Sequence, residues 1–223
     1  MTYNIRGGWG IDGVRSTSRI ADVVREHAPD IVCFQEVHQR LPQSRFVDQP
    51  TQLERELAMP LVFQANLRLG FVGGYGVAVA SRYPVRGVHN HLLPSVREQR
   101  GVLQVTLETP TGLLTVFCTH WGLNAEERER QAASLAALVL AVSGPVIVAG
   151  DFNERPDAGG VRLLLSQTGL LDADAAQNRL TYPADIPEAR IDYLFYSPTL
   201  ALQTVSVIPT LVSDHLPLLA EFG

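Results

Sequence analysis

The chain has 223 residues, 46% hydrophobic and 18% charged, with a net charge of −5. That is enough for one sizeable domain, read here as residues 1–223, and no apolar run approaches the ~20 residues of a membrane span. The acidic balance gives no bulk attraction to a polyanion, although all 18 cations are arginine and twelve precede residue 108, which leaves room for a local basic patch.

Met1 leads directly into Thr2-Tyr3-Asn4-Ile5 with no basic n-region or apolar h-region, so no secretory signal is read and a cytoplasmic protein is expected. Thr2 to Ile5 is a short strand with Asn4 at its end, followed by a glycine-rich loop, residues 7–13, that carries Trp9. A helix is predicted from Thr17 to His27, capped by Ser16 or Ser18 and stopped by Pro29, with Ile20, Val23, Val24 and His27 on one face. Residues 30–37 form a buried strand ending near Glu36. Thr51-Gln52-Leu53-Glu54 has the pattern of a capping box opening a helix to about Ala58. Leu61 to Asn66 and Gly76 to Ser81 are paired strands with a Gly73-Gly74-Tyr75 turn between them. Val85 to Leu93 and Gly101 to Leu107 continue the strand pattern, and Pro110-Thr111-Gly112 is a hairpin turn.

Leu113 to His120 is an apolar strand with a polar end. Asn124 caps the longest helix, to about Val142, whose core face carries Leu135, Leu138, Val139 and Val142, with Glu127 as its box partner. Val146 to Gly150 is a strand covered on both faces that runs into Asp151 and Asn153. While the chain stays extended, these two side chains point the same way. Val161 to Gln167 is a short helix stopped by Gly169. Strands follow at 190–195, 203–208 and 216–222. Cys33 and Cys118 lie in strand-like runs and are read as buried thiols without a disulfide. Doubly covered strands, two helical crossovers and otherwise short turns predict an α+β fold. Its form is a four-layer α-β-β-α sandwich of two mixed, mostly antiparallel sheets.

Polar groups end or flank strands in six separate segments: Asn4, Glu36, His120, Asp151 with Asn153, Asp192, and Asp214 with His215. Each has an ordinary structural reading as a cap, turn or ion-pair residue. Together, in so apolar a chain, they point to metal-assisted phosphoester hydrolysis. Glu36, Asp214 and Asn4 are hard oxygen ligands suited to Mg²⁺ or Mn²⁺, and no cysteine or histidine cluster offers a zinc site. His215, held by a carboxylate such as Asp192, can accept a proton or stabilise developing charge. His120 and Asn153 can donate to phosphate oxygens. Candidates for substrate contact are Arg100, toward a phosphate oxygen, and Trp9, Tyr75 and Trp121.

The motifs T-Y-N-I at 2–5, D-I-V-C-F-Q-E-V at 30–37, T-H at 119–120, G-D-F-N at 150–153, R-I-D-Y at 190–193 and S-D-H at 213–215 occur in this order. The chain thereby resembles the endonuclease/exonuclease/phosphatase superfamily, with the deoxyribonuclease-I-like fold, in a broad bacterial branch. The resemblance implies Glu36 as main metal ligand assisted by Asn4 and Asp214, with His120 on the scissile phosphate. It implies that Asp151 orients or deprotonates the attacking water while Asn153 helps to bind phosphate. His215, supported by Asp192, would be base or phosphate partner; which of Asp151 and His215 takes the proton stays open. The activity so implied is a divalent-metal-dependent phosphodiesterase of the nuclease type, acting as a monomer on nucleic acid or a nucleotide-like diester. The alternatives are a phosphatase or phospholipase-type esterase on a small or lipid phosphate, and a non-catalytic interaction module. Acidity, absent lysine and short loops weigh against gripping long duplex DNA, and no hydrophobic hairpin stands out as a membrane-inserting element.

Overall fold

The computed structural model describes residues 1–70 and 73–223. In chain order the elements are β1 (Thr2–Asn4), α1 (Thr17–His27), β2 (Ile31–Gln39), α2 (Gln49–Leu57), β3 (Leu61–Leu69), β4 (Gly73–Ser81), β5 (Val85–Leu92), β6 (Gly101–Thr109) and β7 (Gly112–His120). They continue as α3 (Ala125–Leu140), β8 (Val146–Asp151), α4 (Gly159–Thr168), β9 (Leu171–Asp172), β10 (Asp192–Tyr196), β11 (Leu202–Val207) and β12 (Leu218–Phe222). One six-stranded sheet has the order β11-β12-β1-β2-β4-β3 and the other β5-β6-β7-β8-β10-β9. Among the described residues the parallel pairs are β1–β2 and β7–β8, and a helix joins each, because parallel strands need a crossover where antiparallel ones need only a turn.

Three apolar layers result. Ile20, Val24, Leu53 and Leu57 of α1 and α2 cover Val32, Phe34, Ala78 and Ala80 of the first sheet. Leu135, Val139, Val161 and Leu164 of α3 and α4 cover Phe117, Val148 and Phe195 of the second. Between the sheets lie Cys33, Val77, Val79, Leu103, Val105, Cys118 and Ile147. β8 shows how one short run serves two layers: Val146 and Val148 face the helices while Ile147 and Ala149 face the opposite sheet. Cys33 and Cys118 are both buried and unpaired as disulfides.

Several local expectations are corrected. Asp48, not Thr51, caps α2, its carboxylate accepting the Thr51 N–H, and the helix starts two residues before Thr51. Asn124 does accept the Glu127 N–H, but the Glu127 carboxylate turns to Gln131, so the box at α3 is only half built. Residues 73–75 are not a turn; β4 already runs from Gly73. The glycines serve strand contact instead, since a Cβ at Gly76 would lie 1.9 Å from the Gln64 carbonyl oxygen. Gly76→Ala should therefore cost about 2–4 kcal/mol, read as a lower denaturant midpoint; an unchanged midpoint would refute this close approach.

Candidate active site

Strand register gathers the site. In the second sheet Asp151 ends β8, paired in register with His120 at the end of β7 and with Asp192 at the start of β10. Asn4 ends β1 in the other sheet, and its Nδ2 donates to Asp151 Oδ2 at 2.9 Å and to Glu36 Oε1 at 3.1 Å. One amide thus bridges the two sheets and two carboxylates. Ser213 Oγ donates to the Asn4 carbonyl at 2.7 Å, which ties the Ser213-Asp214-His215 segment to the same strand end.

Glu36 reaches this point through an irregularity. Its φ is +58°, and the β2–β4 register slips between Phe34 and Val37. Phe34 and Val37 are three residues apart yet both lie beneath the helices, which an unbroken strand with period two does not allow. The extra residue turns the Glu36 carboxyl out toward Asn4, at a backbone cost of about 1 kcal/mol for a non-glycine residue in the left-handed region. Burial then raises the Glu36 pKa, opposed by the Asn4 hydrogen bond.

The two histidines are pushed in opposite directions. His120 is buried with its Nε2 3.4 Å from Asp151 Oδ2. Burial, and next the Arg100 charge, hold its pKa well below the ordinary value, so it is neutral. His215 is also buried, which works against its charged form. The carboxylates of Asp192, at 2.9 Å from Nδ1, and Asp151, at 3.7 Å from Nε2, outweigh that and raise it to about 10. Burial lifts Asp151 to about 7, with His215 opposing. Such divergence marks separate acid–base roles.

Oxygen donors that fit a hard divalent cation are present. Glu36 has no ion-pair partner among the described residues and shares the Asn4 nitrogen with Asp151, so two desolvated carboxylates adjoin one another. Asp214 stands nearby, its Oδ2 3.3 Å from Arg6 Nε. Asn4 departs from expectation: its oxygen accepts the Arg6 N–H at 3.0 Å, and its nitrogen faces the carboxylates. Ligand atoms of Asp151, Asp192 and His215 also lie within 4.8 Å of one another. In that group, however, His215 Nδ1 is taken by Asp192 at 2.9 Å, so a cation bound through Nδ1 would have to displace that contact.

Other expected residues fall differently. Asn153 does not project beside Asp151, because its φ of +50° turns the chain. Its N–H donates to Asp151 Oδ1 and its Nδ2 to the Trp121 carbonyl, so it orients the acid. Trp121 is fully buried, edge-on to Phe152 at 4.6 Å, and cannot stack a substrate. Trp9 is partly exposed, with the Arg15 guanidinium 5.4 Å from its ring centre. Tyr75 lies against His38, with Glu36 among the charges that, after burial, keep its hydroxyl protonated. Arg100 is 7% exposed, and its Nε and Nη1 have no aligned acceptor, although Glu98 lies 3.1 Å from Nη1. Its charge acts on both Glu36 and His120.

A strap at 181–191 was not foreseen. Tyr182 lies against the His215 ring at 4.8 Å, Thr181 Oγ1 accepts the Asp192 N–H, and the Ala184 N–H donates to the Asp214 carbonyl. Leu180 to Ala189 has no periodicity, so the sequence pattern carries no signal of it. A cavity of about 540 Å³, lined by Met1, Ile31, Leu114, Ile147 and Phe222, opens between the sheets away from all these groups and carries no part of the chemistry.

Comparison with known proteins gives a consistent picture. The Endonuclease/Exonuclease/phosphatase family profile matches residues 1–215. The protein YbhP of Escherichia coli (strain K12) is 32% identical over 240 residues, covering 99% of this chain and 94% of YbhP. The crystal structure of an endonuclease/exonuclease/phosphatase from Beutenbergia cavernae superposes with a TM-score of 0.78 at 25% identity, over 99% of this chain and 70% of that one. The Bacteroides thetaiotaomicron mannosyl-6-phosphatase Bt3783 shares the fold with a TM-score of 0.80 at 19% identity, over 100% of this chain and 98% of that one.

Proposed function

Because the chain belongs to the endonuclease/exonuclease/phosphatase family, we propose that it hydrolyses phosphoester bonds with a divalent cation, Mg²⁺ or Mn²⁺, held by Glu36 with Asp214 beside it. When bound, such a cation would polarise the phosphoryl oxygens and offset charge developing on them. Asn4, as a donor, keeps Glu36 and Asp151 adjacent. Asp151 is the base: its pKa near 7 leaves it free to take the proton of an attacking water, and Asn153 fixes its second oxygen. His215, kept cationic by Asp192, cannot accept that proton at neutral pH and instead stabilises the phosphoryl charge. Neutral His120 donates to a phosphate oxygen, and Arg100, whose Nε has no aligned acceptor and whose Nη1 has only the Glu98 charge beside it, offers a donor to another. Water's oxygen joins phosphorus in line with the P–O ester bond that breaks, Asp151 takes the water's proton and later releases it to solvent, and the departing oxygen takes its proton from solvent.

The observation that carries this reading is the convergence of Asn4, His120 and His215 on Asp151, one acid reached from both sheets, with Glu36 and Asp192 one hydrogen bond further out. Turnover of bis-p-nitrophenyl phosphate should appear with Mg²⁺ or Mn²⁺ and vanish with EDTA. Full activity in EDTA would remove the cation from the reaction, and no turnover of any diester or monoester would leave the non-catalytic module.

Between substrate classes, one observation favours a small or lipid-borne ester over nucleic acid. Of the two tryptophans offered for substrate contact, Trp121 is inside the core, which leaves Trp9, 38% exposed with Arg15 beside its ring, as the one at the surface.

A further inference from the structure

Three loops at the catalytic end repeat one device. Arg45 and Phe46 adjoin between β2 and α2, Arg68 and Leu69 end β3, and Val96 and Arg97 adjoin between β5 and β6. All six side chains are exposed, Phe46 and Val96 at 68% each and Leu69 at 45%. The carboxylates of the first and third loops are taken by other arginines, Asp48 by Arg40 and Glu98 by Arg100. Among the described residues Arg45, Arg68 and Arg97 make no ion pair. The loops are neighbours: Leu41 lies against Gly73 at the start of β4, and Asn66 of β3 against Gly101 at the start of β6.

The outward position of Phe46 is built into the backbone. Arg45 and Phe46 are consecutive non-glycine residues with φ of 51° and 60°, held by N–H donation to the Pro42 and Leu41 carbonyls. Left-handed backbone at two successive side chains is disfavoured, yet it is used here to hold an aromatic ring in solvent. Exposed apolar residues that cluster beside a site mark an interaction surface.

The composition selects the partner. Among these six described side chains only Phe46 has a π-face, so Leu69 and Val96 cannot serve as base platforms. Paired cations and apolar tips match the interfacial zone of a bilayer, where phosphates lie just above acyl chains. Arg100, buried at the foot of the same loop as Val96 and Arg97 and paired with Glu98, links that loop to Glu36 and His120, on which its charge acts. We propose that this face seats the protein on an anionic phospholipid bilayer and brings lipid phosphoesters to the site. The substrate half of this proposal rests on the phosphoesterase reading; the docking half does not.

The test is flotation of the full chain with phosphatidylglycerol vesicles, with phosphatidylcholine vesicles and an oligothymidylate as comparisons, and Mg²⁺-dependent release of water-soluble phosphate from the vesicles. Binding should favour phosphatidylglycerol and weaken with salt. It should fall at least tenfold in the triple variant R45E/R68E/R97E and in F46S/L69S/V96S, with lipid phosphate release falling in parallel. Both variants should turn over bis-p-nitrophenyl phosphate at the unaltered rate. No flotation, or flotation undiminished in both variants, would overturn the docking surface. Oligothymidylate binding lost in the same variants, without vesicle binding, would reassign the face to nucleic acid. Vesicle binding without release by a protein that cleaves the soluble diester would overturn the substrate class alone. Failure on the soluble diester would instead refute the phosphoesterase reading.

Discussion

Asp151→Asn should lower turnover of a soluble diester by about 10³-fold or more, within the range a positioned general base contributes. Asp151 receives contacts from β1, β7 and the 213–215 segment, and among the described residues it is the one carboxylate in contact with both Asn4 and His215. The amide would retain an oxygen for the Asn153 N–H but would turn its nitrogen toward the Asn4 donor, so circular dichroism must show the fold intact. The wild-type rate should follow a bell. It should rise as Asp151 loses its proton near pH 7 and fall as His215 loses its own near pH 10. Asp192→Asn removes the first of the three carboxylates, Asp192, Asp151 and Asp214, that raise His215, so it should move the alkaline limb to lower pH. A limb unmoved by that change would detach His215 from the reaction. Residual activity in Asp151→Asn within tenfold of wild type would transfer the base role elsewhere.

Glu36→Gln should have opposite effects on activity and stability. Activity should fall by about 10²–10³-fold, as expected when the charged group that holds the cation is lost. Gln keeps an oxygen for the Asn4 N–H and the same volume. The Glu36 carboxyl has a raised folded-state pKa caused first by burial, so its ionised form opposes folding above its unfolded-state pKa. In metal-free buffer at neutral pH the Gln variant should therefore melt at or above the wild-type temperature. Added Mg²⁺ should raise the wild-type midpoint by binding the folded state and leave the variant unmoved. A variant that melts lower without metal, or gains as much as wild type with it, would remove Glu36 from the cation site. Stability held below its maximum at a functional group is the usual cost of a site of this kind.

Much of this was legible from the chain. Apolar runs of strand length, the caps at Ser16 and Asn124 and the stop at Gly169 are set by neighbouring residues, and the structure keeps them. What could not be read was direction. Glu36 stands in a strand pattern whose alternation would place it under the helices, and only the slip against β4 turns it out. Asp151 and Asn153 have the spacing of side chains that point together, yet the chain turns between them. Trp121 follows His120, a position that suggests substrate contact, but the α3–α4 layer encloses it. The Arg–apolar pairs are one or two residues long on loops far apart in sequence, so no window of the chain contains the patch.

The sequence by itself determined which elements form, in what order, and that acids, amides and histidines stand where strands end. Those are local matters of periodicity, capping and solvation, settled within a few residues. Only the tertiary structure decided which atom faces which. Asn4 meets Asp151 across 147 residues because two sheets stack through an apolar layer that neither could bury alone. The opposite pKa shifts of His120 and His215 arise only there, since burial and neighbouring charge act through space and not along the chain.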